Sequence, residues 1–357
     1  MKILGIESSC DETAASVVEH RSNGTFDLLS NVVASSIDLH AVYGGVVPEI
    51  AARSHIEHMM PVTEKALSDA KTDWESIDAI AVTYGPGLGG SLLVGVLTAR
   101  TLAIAQNKPL YAVNHVMAHP FANFISKSRI DGLKLPEKTP EFPMLSLIVS
   151  GGHSQLVLFD SPFDYKVLGR TRDDAIGEAF DKVAKILGLP YPGGPSIEKF
   201  SANGDPASHK FPKSKLENPY DMSFSGLKTA VLRTAQTEIG KDHTFPSSQL
   251  ASHLTDVQKA NIAASFQRVA VETVVDKTIL AYQEFSPKSV VIAGGVAASS
   301  ELRKQLSERL SIAPIYTDMK LCTDNGAMIA TLGCIMAQAK LPTADPYTLE
   351  ISPSLSM

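Results

Sequence analysis

The chain has 357 residues, of which 44% are hydrophobic, and a formal charge of −6. A single core stops growing at roughly 250–300 residues, so two domains are expected. The negative balance argues against a protein that holds nucleic acid over its whole surface, and leaves any RNA contact to a local patch or a partner. The longest apolar runs, such as Ala79–Val82 and Val290–Ala293, fall far short of the ~20 residues of a membrane span. Met1 leads at once into a strand-like run, Lys2–Ile6, with no room for a signal or transit peptide. Cys10, Cys322 and Cys334 match neither a disulfide framework nor a cysteine-based zinc site, so a reduced, cytoplasmic setting is the expectation.

In chain order, the first element is Lys2–Val18, KILGIESSCDETAASVV, two apolar β-branched runs broken by a small, acidic turn. Loop signals follow at Tyr84–Gly90 (YGPGLGG), Leu135–Pro143 and Leu189–Pro195. The strand–turn–strand pattern returns at Met144–Phe159, MLSLIVSGGHSQLVLF, and a strand–Gly–Gly–helix pattern appears at Ser289–Leu306. Ala260–Phe285 has apolar residues at three- and four-residue steps and reads as a scaffold helix ended by Pro287. The recurrence predicts a duplicated α/β fold, two lobes with a nucleotide cleft between them. The first lobe is expected at 1–117, rejoined by a C-terminal helix at about 325–345. The second is expected at 118–324, with a polar, proline-interrupted excursion at about 201–225.

The sharpest chemical signal is His115 and His119 in N-H-V-M-A-H-P-F, because imidazoles four apart share a helix face and can reach one metal ion. The alternative is two partly exposed histidines making ordinary hydrogen bonds. Pro120 is tolerated if the pair sits at a helix start, where its missing donor has no intrahelical role. A metalloprotease places its general-base Glu directly after the first His, and here that residue is Val116. A third ligand must come from a distance; Asp324 in K-L-C-T-D-N-G-A-M is the candidate, with helix capping as its alternative role. Asp11 and Glu12, adjacent in a tight turn, are expected to point apart, one into the cleft and one bracing backbone. The glycine pairs at Val149–His153, Gly294–Gly295 and Gly193–Gly194 suit either hairpin turns or close approach of a phosphate to backbone N–H groups.

The ordered set GIESSCDET, YGGVVPEIAARSH, TYGPGLGGSLLVG, H-x-x-x-H, LIVSGGHSQL, GEAFDKVAKILGLPYPGGP, SFSGLKT, VIAGGV and CTDNGAMIA resembles the bacterial-type tRNA adenosine threonylcarbamoyltransferase (TsaD) family, formerly known as O-sialoglycoprotein endopeptidase, over nearly the whole chain. The resemblance implies a duplicated actin-like fold and one divalent metal, iron or zinc, held by His115, His119 and Asp324. It also implies an adenylate substrate at Ile148, Val149, Ser150, Gly151, Gly152, Asp181 and Gly194. Three departures stand out: Ser299 replaces the usual Asn after the Gly-Gly-Val segment, Glu198 replaces a common Asp, and Ile148 stands where archaeal and eukaryotic relatives carry a Tyr ligand.

The reaction so implied is attack by the exocyclic amine of the tRNA adenosine 3′ of the anticodon on threonylcarbamoyl-adenylate, with release of AMP. The activated anhydride requires no covalent enzyme intermediate, so the protein's work is positioning and charge stabilisation. Asp11 is the candidate to accept or relay the amine proton, supported by Glu12. The family implies three partners: a paralogous actin-like subunit (TsaB-like), a small P-loop ATPase (TsaE-like) and an upstream enzyme that makes the adenylate. The competing readings are a metallopeptidase, a sugar kinase or Hsp70-like ATPase, and a non-catalytic actin-like scaffold subunit.

Overall fold

K-I-L-G-I-E forms strand β1 (Lys2–Glu7) in the computed structural model, which describes residues 1–357. Its side chains alternate between two faces, as a period of two requires. Leu4 and Ile6 join Ala15, Val17, Ile80 and Val82 in a core against Met59, Val62 and Ala66 of helix Pro48–Ala70 and Val96 and Ala99 of helix Gly89–Ala105. Ile3 and Gly5 face the other way, onto helix Gly326–Gln338.

β1 pairs antiparallel with β2 (Glu12–His20), Lys2 opposite Glu19, and β2 pairs antiparallel with β3 (Phe26–Ser35). β4 (Ala79–Gly85) returns parallel to β1, β5 (Leu110–Asn114) adds parallel to β4, and β6 (Ile125–Ser128) adds parallel to β3. The sheet order is β5-β4-β1-β2-β3-β6. This sheet and its helices make one unit, Met1–Pro140 with Ile315–Met357.

The second unit is Glu141–Pro314. Strands β7 (Met144–Val149), β8 (Ser154–Ser161) and β9 (Asp164–Arg170) form an antiparallel meander, and β10 (Ser289–Ala293) adds parallel to β7, giving the order β10-β7-β8-β9. The path of β7 to β10 repeats that of β1 to β4: a meander of three, then a strand parallel to the first. The duplication expected from the sequence is thus written in the topology. Helix Asp256–Phe285 starts on a capping box between Thr255 and Gln258 and ends where Ser286 turns left-handed.

Three boundaries differ from expectation. Residues 118–140 pack in the first unit, because β6 completes the edge beside β3, and 315–324 lead into its last helix. That helix stops at Gln338 instead of reaching 345, and the chain beyond it runs as an irregular tail. The 201–225 excursion is exposed or half-buried over most of its length, but Tyr220, Asp221, Met222 and Phe224 are buried. Its end is tied down by a bridge between Met222 and Thr171 and by the Arg170 amide, which donates to Asp221 at 3.0 Å.

Helix Gly326–Gln338 can touch the sheet because both surfaces lack side chains at the crossing. A Cβ on Gly5 would overlap the Gly326 carbonyl and the Ala330 amide, and one on Gly326 would lie 2.6 Å from the Ser16 nitrogen. Gly5→Ala or Gly326→Ala forces backbone apart and should lower stability by about 3 kcal/mol or more, the upper range for overpacking. The measurement is a denaturant midpoint that falls at unchanged slope.

Candidate metal centre and substrate-binding turns

His115 is the first residue of helix His115–Phe121, which begins where β5 ends. Asn114 caps it, its side-chain oxygen accepting from the Met117 amide at 3.0 Å. One turn of helix sets the two imidazoles with centroids 4.8 Å apart and planes at 77°. The helix begins at the pair as expected, but Pro120 is not in its first turn: it is next to the last residue, where its missing donor leaves the Val116 carbonyl without its helical partner.

Asp324 arrives from the far end of the sequence. Its Oδ1 lies 3.6 Å from His115 Nε2 and 3.4 Å from His119 Nε2, and the three ligand atoms all fall within 4.8 Å of one another. Helix capping, its alternative role, belongs to the next residue: Asn325 Oδ1 accepts from Met328 N at 3.1 Å, and its amide donates to the Leu321 and Thr323 carbonyls. Asp324 is thereby left to face the histidines.

Glu7, the last residue of β1, supplies what the sequence reading missed. Its Oε2 lies 3.0 Å from His115 Nδ1 and accepts from Thr83 Oγ1 at 2.5 Å, while its Oε1 accepts from the Ser9 amide at 2.6 Å. Ser9 Oγ also reaches His115 Nδ1, at 3.1 Å. A carboxylate on one imidazole nitrogen fixes the tautomer that turns the other outward, the usual arrangement behind a metal-bound histidine. Glu7 stood inside the quoted G-I-E-S-S-C-D-E-T run; strand parity was the available signal, since it lies on the opposite face from Ile6.

Burial alone would raise the Glu7 carboxyl, but the His115 charge and the bonds from His115, Thr83 and Ser9 outweigh it and hold the group at about 2. Burial alone would likewise lower His115; Glu7 and Asp324 instead raise it to about 9. Asp324 is raised to about 6 by burial, against the pull of His115 and with the push of Glu7 and Asp11. Two buried imidazoles, one of them braced from behind, and one half-buried carboxylate converge, a set that fits a divalent transition metal with open positions for other ligands.

The turn between β1 and β2 ends with Asp11, and Glu12 opens β2. The turn is pinned at two carbonyls: Cys10 O accepts from Ser91 Oγ at 3.1 Å and lies 2.9 Å from His55 Nε2, and Asp11 O accepts from Ser36 N at 3.1 Å and Ser36 Oγ at 2.8 Å. Glu12 Oε1 accepts from Ser35 Oγ at 3.3 Å, and burial, then the charges of Asp11 and Asp324, push its carboxyl well above the usual carboxylate range.

In the second unit Ser150–His153 is a tight turn closing the β7–β8 hairpin, with Ser150 N donating to His153 O at 2.8 Å. Ile148 and Val149 bury their side chains, whereas a Cβ on Gly151, Gly152 or Gly194 would meet nothing within 4 Å. Those three glycines therefore border open space. Asp181 Oδ1 accepts from the Gly193 amide at 2.6 Å, so this carboxylate sits at the start of helix Gly193–Ser201. Glu198 accepts from the Ser300 amide at 3.1 Å, and Ser299 caps helix Ser300–Arg309, its hydroxyl accepting from Leu302 N at 3.4 Å. Both departures from the family pattern thus have structural work at the end of β10.

A duplicated α/β fold defines the actin-like fold class, here with a braced His–His–Asp cluster that could hold a metal ion, and comparison narrows it. Residues 27–331 match the family model described as TsaD, tRNA N6-adenosine threonylcarbamoyltransferase. A relative of that name from Dehalococcoides mccartyi is 50% identical over 333 residues, 93% of each chain. Another, from Symbiobacterium thermophilum, is 48% identical over 340 residues, 94% of this chain and 92% of the relative. Among solved structures, full-length HypF in its phosphate- and nucleotide-bound form aligns with a TM-score of 0.54 at 14% identity, covering 96% of this chain and 56% of HypF, a likeness of fold. The chain belongs to the TsaD family of transferases.

Glu7→Gln keeps the shape of the brace and removes its charge. Metal affinity, read by competition with a chromogenic chelator, should fall about 10-fold or more with the fold intact, the range typical of such outer groups.

Proposed function

We propose that this chain transfers the threonylcarbamoyl group of threonylcarbamoyl-adenylate to the exocyclic amine of the adenosine 3′ of the anticodon, in tRNAs that read codons beginning with A, releasing AMP. The observation that carries the reading is the His115–His119–Asp324 cluster braced by Glu7 in a chain of this family. His115, His119 and Asp324 would hold one divalent ion, iron or zinc, which when bound supplies Lewis-acid polarisation of the carbamoyl or phosphate oxygen.

The chain's own groups divide the remaining work. Gly151, Gly152 and Gly194, which border open space, let the adenylate approach the backbone closely, and Asp181 anchors the second of these turns by accepting from the Gly193 amide. Asp11 accepts the proton that the adenosine amine sheds as its nitrogen bonds to the carbamoyl carbon, and AMP departs with the electron pair of the broken C–O bond. Glu12, its neighbour in the chain, supports Asp11 and is itself tied to Ser35. The adenosine must leave its stack to reach these groups, as for other enzymes that act on a nucleobase. An acidic chain also suits a division of labour, in which a paralogous actin-like subunit and a P-loop ATPase help present the tRNA.

Two features weigh against the metallopeptidase. Val116 is buried and apolar where a zinc peptidase keeps its base, and Glu7 is already engaged by His115, Thr83 and Ser9. A scaffold subunit has no use for a braced metal cluster.

The test supplies chain, partners, labelled threonylcarbamoyl-adenylate and unmodified tRNA, and digests the tRNA to nucleosides. Label should appear in adenosine; its absence with authentic partners overturns the proposal. Asp11→Asn should slow transfer by about 10²–10⁴-fold at unchanged metal content, the usual range for loss of a general base.

A further inference from the structure

We infer that Arg100 is a positioning residue for the metal centre, acting through the tail beyond the last helix, which is strapped across the end of β4 and onto the cap of the histidine helix. Arg100 lies on helix Gly89–Ala105, far in sequence from everything it holds. Its guanidinium donates Nε to the Pro346 carbonyl at 2.6 Å, one terminal nitrogen to the Leu349 carbonyl at 3.2 Å and the other to the Tyr347 carbonyl. A planar fork of five donors can satisfy three converging carbonyls; an ammonium on a flexible stem cannot do so with the same geometry.

Beyond this clasp the tail is fixed by backbone. Ser352 N donates to Tyr84 O at 2.7 Å, and Gly87 N donates to Pro353 O at 3.1 Å. The approach is close enough that a Cβ on Gly85 would overlap the Ser352 carbonyl and lie 3.1 Å from Leu355 Cβ. The tail then reaches Asn114, whose amide donates to Ser356 O at 3.4 Å.

Both structures that the tail grips bear on His115. Leu88 N donates to Ser9 O at 2.8 Å, so the Gly85–Leu88 loop holds the residue whose hydroxyl lies 3.1 Å from His115 Nδ1. Asn114 uses its oxygen to cap the helix that begins with His115 and its amide to hold the tail, so the same side chain is oriented from both ends. Releasing the tail frees the loop and the cap together, and with them the aim of the His115 ring.

The inference rests on the metal reading of His115, His119 and Asp324, and the experiment separates the two. The chain, Arg100→Ala, Arg100→Lys, a chain truncated after Lys340, and Tyr347→Ala are compared, the last because its exposed ring contributes nothing to the clasp. Zn²⁺ affinity is read by chelator competition. The His115 ring is followed in the metal-free proteins by long-range ¹⁵N–¹H imidazole spectra, with cooperative unfolding measured alongside. Arg100→Ala and the truncation should each bind Zn²⁺ at least 10-fold more weakly and shift the His115 Nδ1 signal, Arg100→Lys should fall between, and Tyr347→Ala should match the parent. If the parent itself binds neither Zn²⁺ nor Fe²⁺, the metal reading fails, and the His115 spectrum still decides the strap. A folded Arg100→Ala with unchanged affinity and an unchanged His115 spectrum overturns the inference. So does a loss of affinity that only tracks the unfolded fraction.

Discussion

The approach of helix Gly326–Gln338 to the β1–β2 ribbon governs the rest of the first unit. Nothing but backbone separates the two at Gly5 and Gly326, and that short distance decides where the residue two before the helix can stand. Asp324 is there, and the histidine helix approaches from the end of β5. Every other ligand of the cluster is local to one segment; the carboxylate alone depends on a contact spanning most of the chain. Glycine is required at this crossing because any side chain would lift the helix, and with it Asp324, off the sheet.

Behind the cluster the physics is that of a buried ion pair whose partners are fully engaged. Glu7 is completely buried, a placement that stabilises only if its oxygens are satisfied, and His115, Thr83 and the Ser9 amide satisfy them. The arrangement gains orientation more than stability: one imidazole nitrogen is committed inward and the other presented to Asp324 and His119. The Asp11–Glu12 turn is ordered by the same means, through carbonyls held by Ser36, Ser91 and His55, so the groups proposed for proton transfer sit on a fixed backbone.

What the sequence disclosed, and what it withheld, follows the range of the interaction. His115 and His119 were legible because their relation is one helical turn, and the duplication was legible because a strand–turn–strand pattern is local and occurs twice. Asp324 was reachable as the acid in a small-residue turn, with capping as a rival role that only Asn325, seen in place, removes. Glu7 was hidden behind its more conspicuous neighbours Asp11 and Glu12, because nothing short of strand parity and a partner 108 residues away marks it. Residues 118–140 were misplaced for a similar reason: the four-residue strand β6 is too short to announce itself, yet its pairing with β3 fixes the boundary.

The account stands on two imidazoles and one distant carboxylate sharing a single ion. X-ray absorption at the metal edge of the loaded protein tests this directly, because it reports the number and kind of nearest atoms. The account predicts a shell of nitrogen and oxygen at roughly 2.0–2.2 Å with the multiple-scattering signature of two imidazoles. A shell containing sulfur, or one imidazole only, would contradict it.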